Sequence, residues 1–107
     1  MRDLMGIMKQ AQAMQQKLTE AQARIAELSV EGSSGGGMVK VTLRGSGELA
    51  RIDLDESLMQ PGEGEVVADL VVAAHADAKR QLDARSAELM KAAAGPLAGM
   101  PGMPKFG

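Results

Sequence analysis

Apolar residues recur at Leu4, Ile7, Ala11, Met14, Leu18, Ala21, Ile25 and Leu28, in alternating steps of three and four. Steps of that size keep one face of a helix apolar over about three and a half heptads. They predict a helix over residues 1–28 whose seam packs against another helix in coiled-coil fashion. The other positions are mostly Gln, Lys, Arg and Ala, all good helix formers, and Gly6 is the weak point. The period then changes. Residues 29–34, SVEGSS, predict a short edge strand, and the next three residues, all glycine, reverse the chain. From Met38 to Arg44 the pattern alternates, with Val39, Val41 and Leu43 on one face and Met38, Lys40, Thr42 and Arg44 on the other. Residues 49–54 alternate again, with Leu49, Arg51 and Asp53 opposite Ala50, Ile52 and Leu54. The GSGE turn between these runs makes them an antiparallel hairpin, which is marginal alone and must pack on helices.

Asp55 carries helix-start chemistry and Pro61-Gly62 a stop, so one short helical turn belongs between them. A second long helix is predicted from about Glu63 to Ala94, with Val67, Leu70/Val71, Ala74, Ala78, Leu82 and Leu89 on its packed face. Glu63, Glu65 and Asp69 lie toward its N-terminal end and Lys91 toward the other, the sense that the helix dipole favours. Gly95-Pro96 ends it. The remaining GPLAGMPGMPKFG is Gly/Pro-rich and without periodicity, which predicts a flexible tail over 95–107 after a single domain spanning 1–94. The fold class is α+β: a long N-terminal helix, a small three-stranded antiparallel meander, a short helical turn and a long C-terminal helix.

Composition narrows the picture. Phe106 is the sole aromatic residue, so the core is built from Leu, Ile, Val, Ala and the nine methionines. A small chain without large aromatic side chains buries little surface by itself, and an obligate oligomer is expected. Cysteine is absent, which removes disulfides and thiolate chemistry. No run approaches the roughly 18–20 apolar residues of a membrane span, and the N-terminal residues lack a signal-peptide apolar region, so a cytoplasmic protein is expected.

The stretch Gly32-Ser-Ser-Gly-Gly-Gly37 has the glycine spacing of a phosphate-binding loop. Met38 and Val39, however, stand where that loop needs Lys and Ser/Thr, and a strand begins where a helix must open. His75 is the single histidine, with only Asp69, Asp77 and Lys79 near it in sequence, and a zinc site gathers three or four ligands. Asp53, Asp55 and Glu56 sit at a strand end entering a helical turn, where turn and cap roles account for them. No catalytic residue, metal site, cofactor or small-molecule substrate is therefore expected.

The charges on the first helix are more informative. Arg2, Lys9, Lys17 and Arg24 recur every seven or eight residues and fall along one stripe away from the apolar seam, and no acid occurs between Asp3 and Glu20. A stripe with about 10–12 Å between cations reaches several phosphates of a nucleic-acid backbone. Gln10, Gln12, Gln15 and Gln16 add hydrogen-bonding groups to it. The second helix adds Lys79, Arg80 and Arg85, interleaved with Asp77 and Asp83. The formal net charge is −2, so any such binding must come from a local patch. The heptad helix and the Met/Ala surfaces equally suit a protein-interaction module that docks a partner, such as a replication or recombination factor, through its helices.

MKQAQAMQQKL (8–18), GGGMVKVTLRG (35–45), RIDLDESL (51–58) and DLVVAAHADA (69–78) occur in one order over nearly the whole chain. Together they resemble the YbaB/EbfC family of bacterial nucleoid-associated proteins. The resemblance implies a cytoplasmic, tweezer-like homodimer whose long helices project from a compact α/β centre. It also implies binding of duplex DNA with limited sequence specificity, in nucleoid organisation or gene expression. Where the family commonly has a proline after the Ile-Asp pair, this chain has Leu54-Asp55.

Overall fold

The computed structural model describes residues 2–95; the expected tail lies outside the described residues apart from its first glycine. Helix α1 (Arg2–Ala26) leads into strand β1 (Ser29–Ser34), a 3-10 turn (Gly35–Gly37), β2 (Val39–Arg44) and β3 (Leu49–Leu54). A second 3-10 turn (Glu56–Leu58) then precedes helix α2 (Gly64–Ala94). The strands form one antiparallel sheet in the order β1-β2-β3. Element order agrees with the polarity pattern. Helix α1 stops two residues short of its predicted end because Glu27 and Leu28 turn the chain. The Leu28 N–H donates to the Ile25 carbonyl at 3.0 Å, and the Leu28 carbonyl accepts from the Gly45 N–H at 2.8 Å.

Helix α2 lies across β1 and β2. Val39, Val41 and Leu43 are wholly buried beneath it with Ala74 and Ala78, and Val30, Leu58 and Leu82 complete the core. The alanines bring the helix backbone close to the sheet, and Gly32 lets it settle there. A Cβ on Gly32 would stand 2.2 Å from the Ala78 nitrogen and 2.4 Å from the Ala74 carbonyl oxygen. The edge of β1 is tied to the same helix. The Asp77 carboxylate accepts from the Ser33 N–H at 2.9 Å, and the Gln81 amide donates to the Glu31 carbonyl at 2.9 Å.

Simple alternation in β3 needs correction. The ladder slips between Thr42 and Leu43, so Leu43 pairs with Leu49 and Ala50 is the extra residue of a bulge. Leu49, Ile52 and Leu54 thus stand opposite Leu43, Val41 and Val39, the buried residues of β2. Cross-strand partners share a sheet face. The core face of the sheet therefore continues onto β3, beyond the part that α2 covers, and leaves those three residues 46%, 40% and 39% exposed.

Helix α2 runs from Leu70, beside Ser34, to Gln81, beside Glu31, and then past the sheet at the end where α1 departs. Its last turns lie antiparallel against α1, with Leu89, Ala92 and Ala93 facing Lys17, Glu20, Ala21 and Arg24 across a shallow hollow. The seam of α1 is consequently filled only in its C-terminal half. Ala21 is buried, and Met14, Leu18, Ile25 and Leu28 are half-buried. Leu4 and Ile7 remain 65% and 63% exposed, because α2 ends at Ala94 and the rest of α1 projects beyond it. The radius of gyration is 20.1 Å, against about 13 Å for a compact chain of this length. The two helices form an arm on a small α/β body.

Candidate nucleic-acid interface

The arm is where the positive charge lies. Residues 2–26 and 84–94 hold six basic and three acidic residues, whereas residues 27–83 hold five basic and eleven acidic. A chain with a small negative total is thus a dipolar object, with a net +3 arm on a net −6 body. Such a separation steers a polyanion toward the arm and repels it from the body, which is how a mildly acidic protein presents a basic surface.

Within the arm, α1 sets Lys9, Lys17 and Arg24 on its exposed surface, and Arg2 occupies its first position. No carboxylate lies within ion-pair distance of Lys9, Lys17, Arg24 or Arg85 among the described residues. Lys17 and Arg24 border the hollow at the α1–α2 contact, beside the last turns of α2. Their charges also complement the carbonyl end of that helix. Lys91, read from the sequence only as such a complement, is exposed next to Ala92 and Ala93 and belongs to the same basic end of the molecule.

Lys79 and Arg80 differ from these. Lys79 Nζ stands 2.6 Å from Asp83 Oδ1, and Arg80 Nη2 stands 3.6 Å from Asp77 Oδ1. Both cations sit over the body and already face a carboxylate, so the seven candidates divide into an arm set and a compensated pair. On the open side of the sheet, Lys40 and Arg44 flank Thr42, while Arg51 is held by Asp53 at 2.7 Å.

The glycine stretch is a connector. Gly35, Gly36 and Gly37 have φ of 60°, 66° and 95°, and the turn they make passes straight into β2 without opening a helix. Asp55 acts as a cap: its carboxylate accepts from the backbone N–H of Ser57 at 3.0 Å and from the Ser57 hydroxyl. The bonds to the Ser57 hydroxyl and N–H hold its pKa below the usual aspartate value. His75 is exposed on α2, and among the described residues no three His, Cys, Asp or Glu side chains gather as a metal site would require.

Residues 1–97 match the YbaB/EbfC DNA-binding family. This chain belongs to that family. A nucleoid-associated protein of Phenylobacterium zucineum is 76% identical over 106 residues, which cover 99% of each chain. One from Caulobacter vibrioides is 69% identical over 95% of this chain and 94% of its own. One from Maricaulis maris is 55% identical over 96% of both. Among solved structures, an uncharacterized protein of Helicobacter pylori superposes with a TM-score of 0.59 at 24% identity, over 74% of this chain and 92% of its own, a likeness of fold alone. No helix of the described residues is long and apolar enough to cross a membrane.

Proposed function

We infer that this protein is a nucleoid-associated DNA-binding protein that works as a homodimer and grips the phosphate backbone of duplex DNA with its arms. The observation that carries the reading is the charge segregation: a projecting arm of net +3 on a body of net −6. Lys9, Lys17 and Arg24 supply the main phosphate contacts, joined by Arg2, Arg85 and Lys91. Lysines and arginines spaced along a helix neutralise phosphates without matching base edges, so sequence preference is limited. The curated relatives are named nucleoid-associated proteins, in keeping with action on chromosomal DNA in the cytoplasm.

The dimer rests on the sheet. Asp77 and Gln81 occupy outward backbone groups of the β1 edge, whereas β3 keeps Leu49, Ile52 and Leu54 uncovered on the core face. A core left open at one edge is completed by a second copy through the same edge, as obligate dimer interfaces resemble a core cut in two. Two arms then act on one duplex.

The test is fluorescence anisotropy of a labelled mixed-sequence duplex titrated at several salt concentrations. Three cations from each of two arms neutralise about six phosphates, so log K falls against log salt with a slope near −5. Shuffling the duplex leaves the curve nearly unchanged. A flat salt dependence, or the absence of binding at low salt, would overturn the assignment.

A further inference from the structure

Three residues fix how α2 is turned over the sheet. Ala74 and Ala78 rest on Gly32, and Asp77 reaches the β1 edge, where its carboxylate accepts from the Ser33 N–H. Two positions on a helix lie about 200° apart, so His75 points away from β1, toward the β3 side. Gly32, Val41 and Ile52 form one row across the sheet. His75, between the two alanines that meet the first member of this row, stands on the flank of α2 level with its last. That last member, Ile52, is the middle of the uncovered β3 face. His75 is exposed there in the single chain, and so is Ala68. Val72, on the same flank, is 69% exposed.

The groups around His75 offer it no counter-charge. Leu49, Ile52 and Leu54 are apolar, while Arg51 and Asp53 stand opposite Thr42 and Lys40 on the other sheet face and pair with each other. Lys79, one turn further along α2, is already bonded to Asp83. Asp55 and Glu56 belong to the turn past Leu54, at the end of the sheet, and Asp55 is committed to Ser57. We propose that a second copy covers His75 together with the β3 face, and that the dimer holds only while this imidazole is neutral. This regulation rests on the reading of β3 as the dimer edge. Histidine is the side chain that changes charge between pH 5 and 8. A neutral ring packs against Ile52 and Val72 at modest cost, whereas an imidazolium there loses its hydration with no carboxylate to replace it. Burial between copies therefore favours the neutral form. Association is complete above the histidine range and is lost as pH falls through it.

His75 is the single histidine of the chain, so one substitution removes every histidine titration. Sedimentation equilibrium of the full chain at pH 7.5 and pH 5.5, with circular dichroism at each, is the test. The dimer Kd rises on the order of 100-fold at the lower pH, about tenfold for each of the two histidines that must shed a proton to pair. Helix content stays the same. In His75→Gln, which cannot take the charge, the Kd is equal at the two pH values, whatever its size. A Kd of the unaltered chain that does not move with pH would overturn the proposal and leave the β3 dimer standing. So would a His75→Gln variant that weakens or unfolds in acid as the unaltered chain does, since other groups would then carry the effect. A chain that is monomeric at both pH values would remove the dimer itself, and the proposal with it.

Discussion

Gly32 and Gly45 sit where two backbones come closer than any side chain permits. A Cβ on Gly45 would fall 1.5 Å from the Ile25 carbonyl oxygen, and one on Gly32 would meet the α2 backbone at Ala74 and Ala78. Backbone cannot swing aside as a flexible side chain does, so Gly32→Ala must lift α2 from β1. Urea unfolding should show a loss of about 1–3 kcal/mol, the range of an overpacked core. Nothing in the local sequence marks this role. Gly32 reads only as one residue of a short edge strand, because its partner, the Ala74–Ala78 turn, is more than forty residues away. Asp55 is the opposite example, since its cap partner Ser57 is two residues on and the role is legible from the sequence. Its carboxyl is held below the ordinary aspartate pKa by the Ser57 hydroxyl and N–H. The charged form is thus favoured in the fold. The stabilisation it gives is present above the unfolded value of about 3.9 and is lost as pH falls through the lowered folded value. An NMR titration of the Asp55 carboxyl should find a midpoint below the unfolded value, and Ser57→Ala should raise it. A midpoint at or above the ordinary value would remove the cap.

At the scale of elements, hydrophobic period was enough to order both helices and the strands, because each presents one apolar face to one layer. It was not enough to say how far each face is covered. The heptad seam of α1 runs from Leu4 to Leu28, yet only the part from Met14 onward meets α2, a consequence of where the antiparallel partner stops. Charge pattern behaves in the same way. The sequence interleaves Lys79 with Asp77 and Asp83, and the i,i+4 bond to Asp83 leaves Lys79 compensated, while Lys17 stands on the arm without a carboxylate in ion-pair range among the described residues. The two should differ in DNA binding. Lys17→Gln removes one phosphate contact per subunit, so the salt slope of a dimer becomes shallower by about 1.8. Lys79→Gln leaves the slope where it is. Equal effects of the two variants would mean that the contacting surface lies over the body rather than along the arm.

Across the whole molecule, the charge separation was present in the sequence but invisible until the arm was defined. The basic residues of the arm come from two segments more than fifty residues apart, and a net charge averages them with the acidic body. The open core face of β3 was hidden for a related reason: alternation identified an apolar face, but the bulge at Ala50 and the reach of α2 decide that it stays uncovered. These two features belong together. In the proposed dimer the body would hold two copies by their β3 edges and the arms would meet one duplex as a pair, the second binding at the effective concentration set by the first. Ile52→Asp places a charge in the middle of the open edge, at a position 40% exposed in the single chain and so tolerable to its fold. Sedimentation should show a monomer with unchanged helix content by circular dichroism. DNA affinity should fall by at least ~100-fold as the paired engagement is lost, and the salt slope should halve, because one arm now neutralises half as many phosphates. A variant that becomes monomeric yet keeps both its affinity and its slope would separate DNA binding from dimerisation and confine it to a single arm.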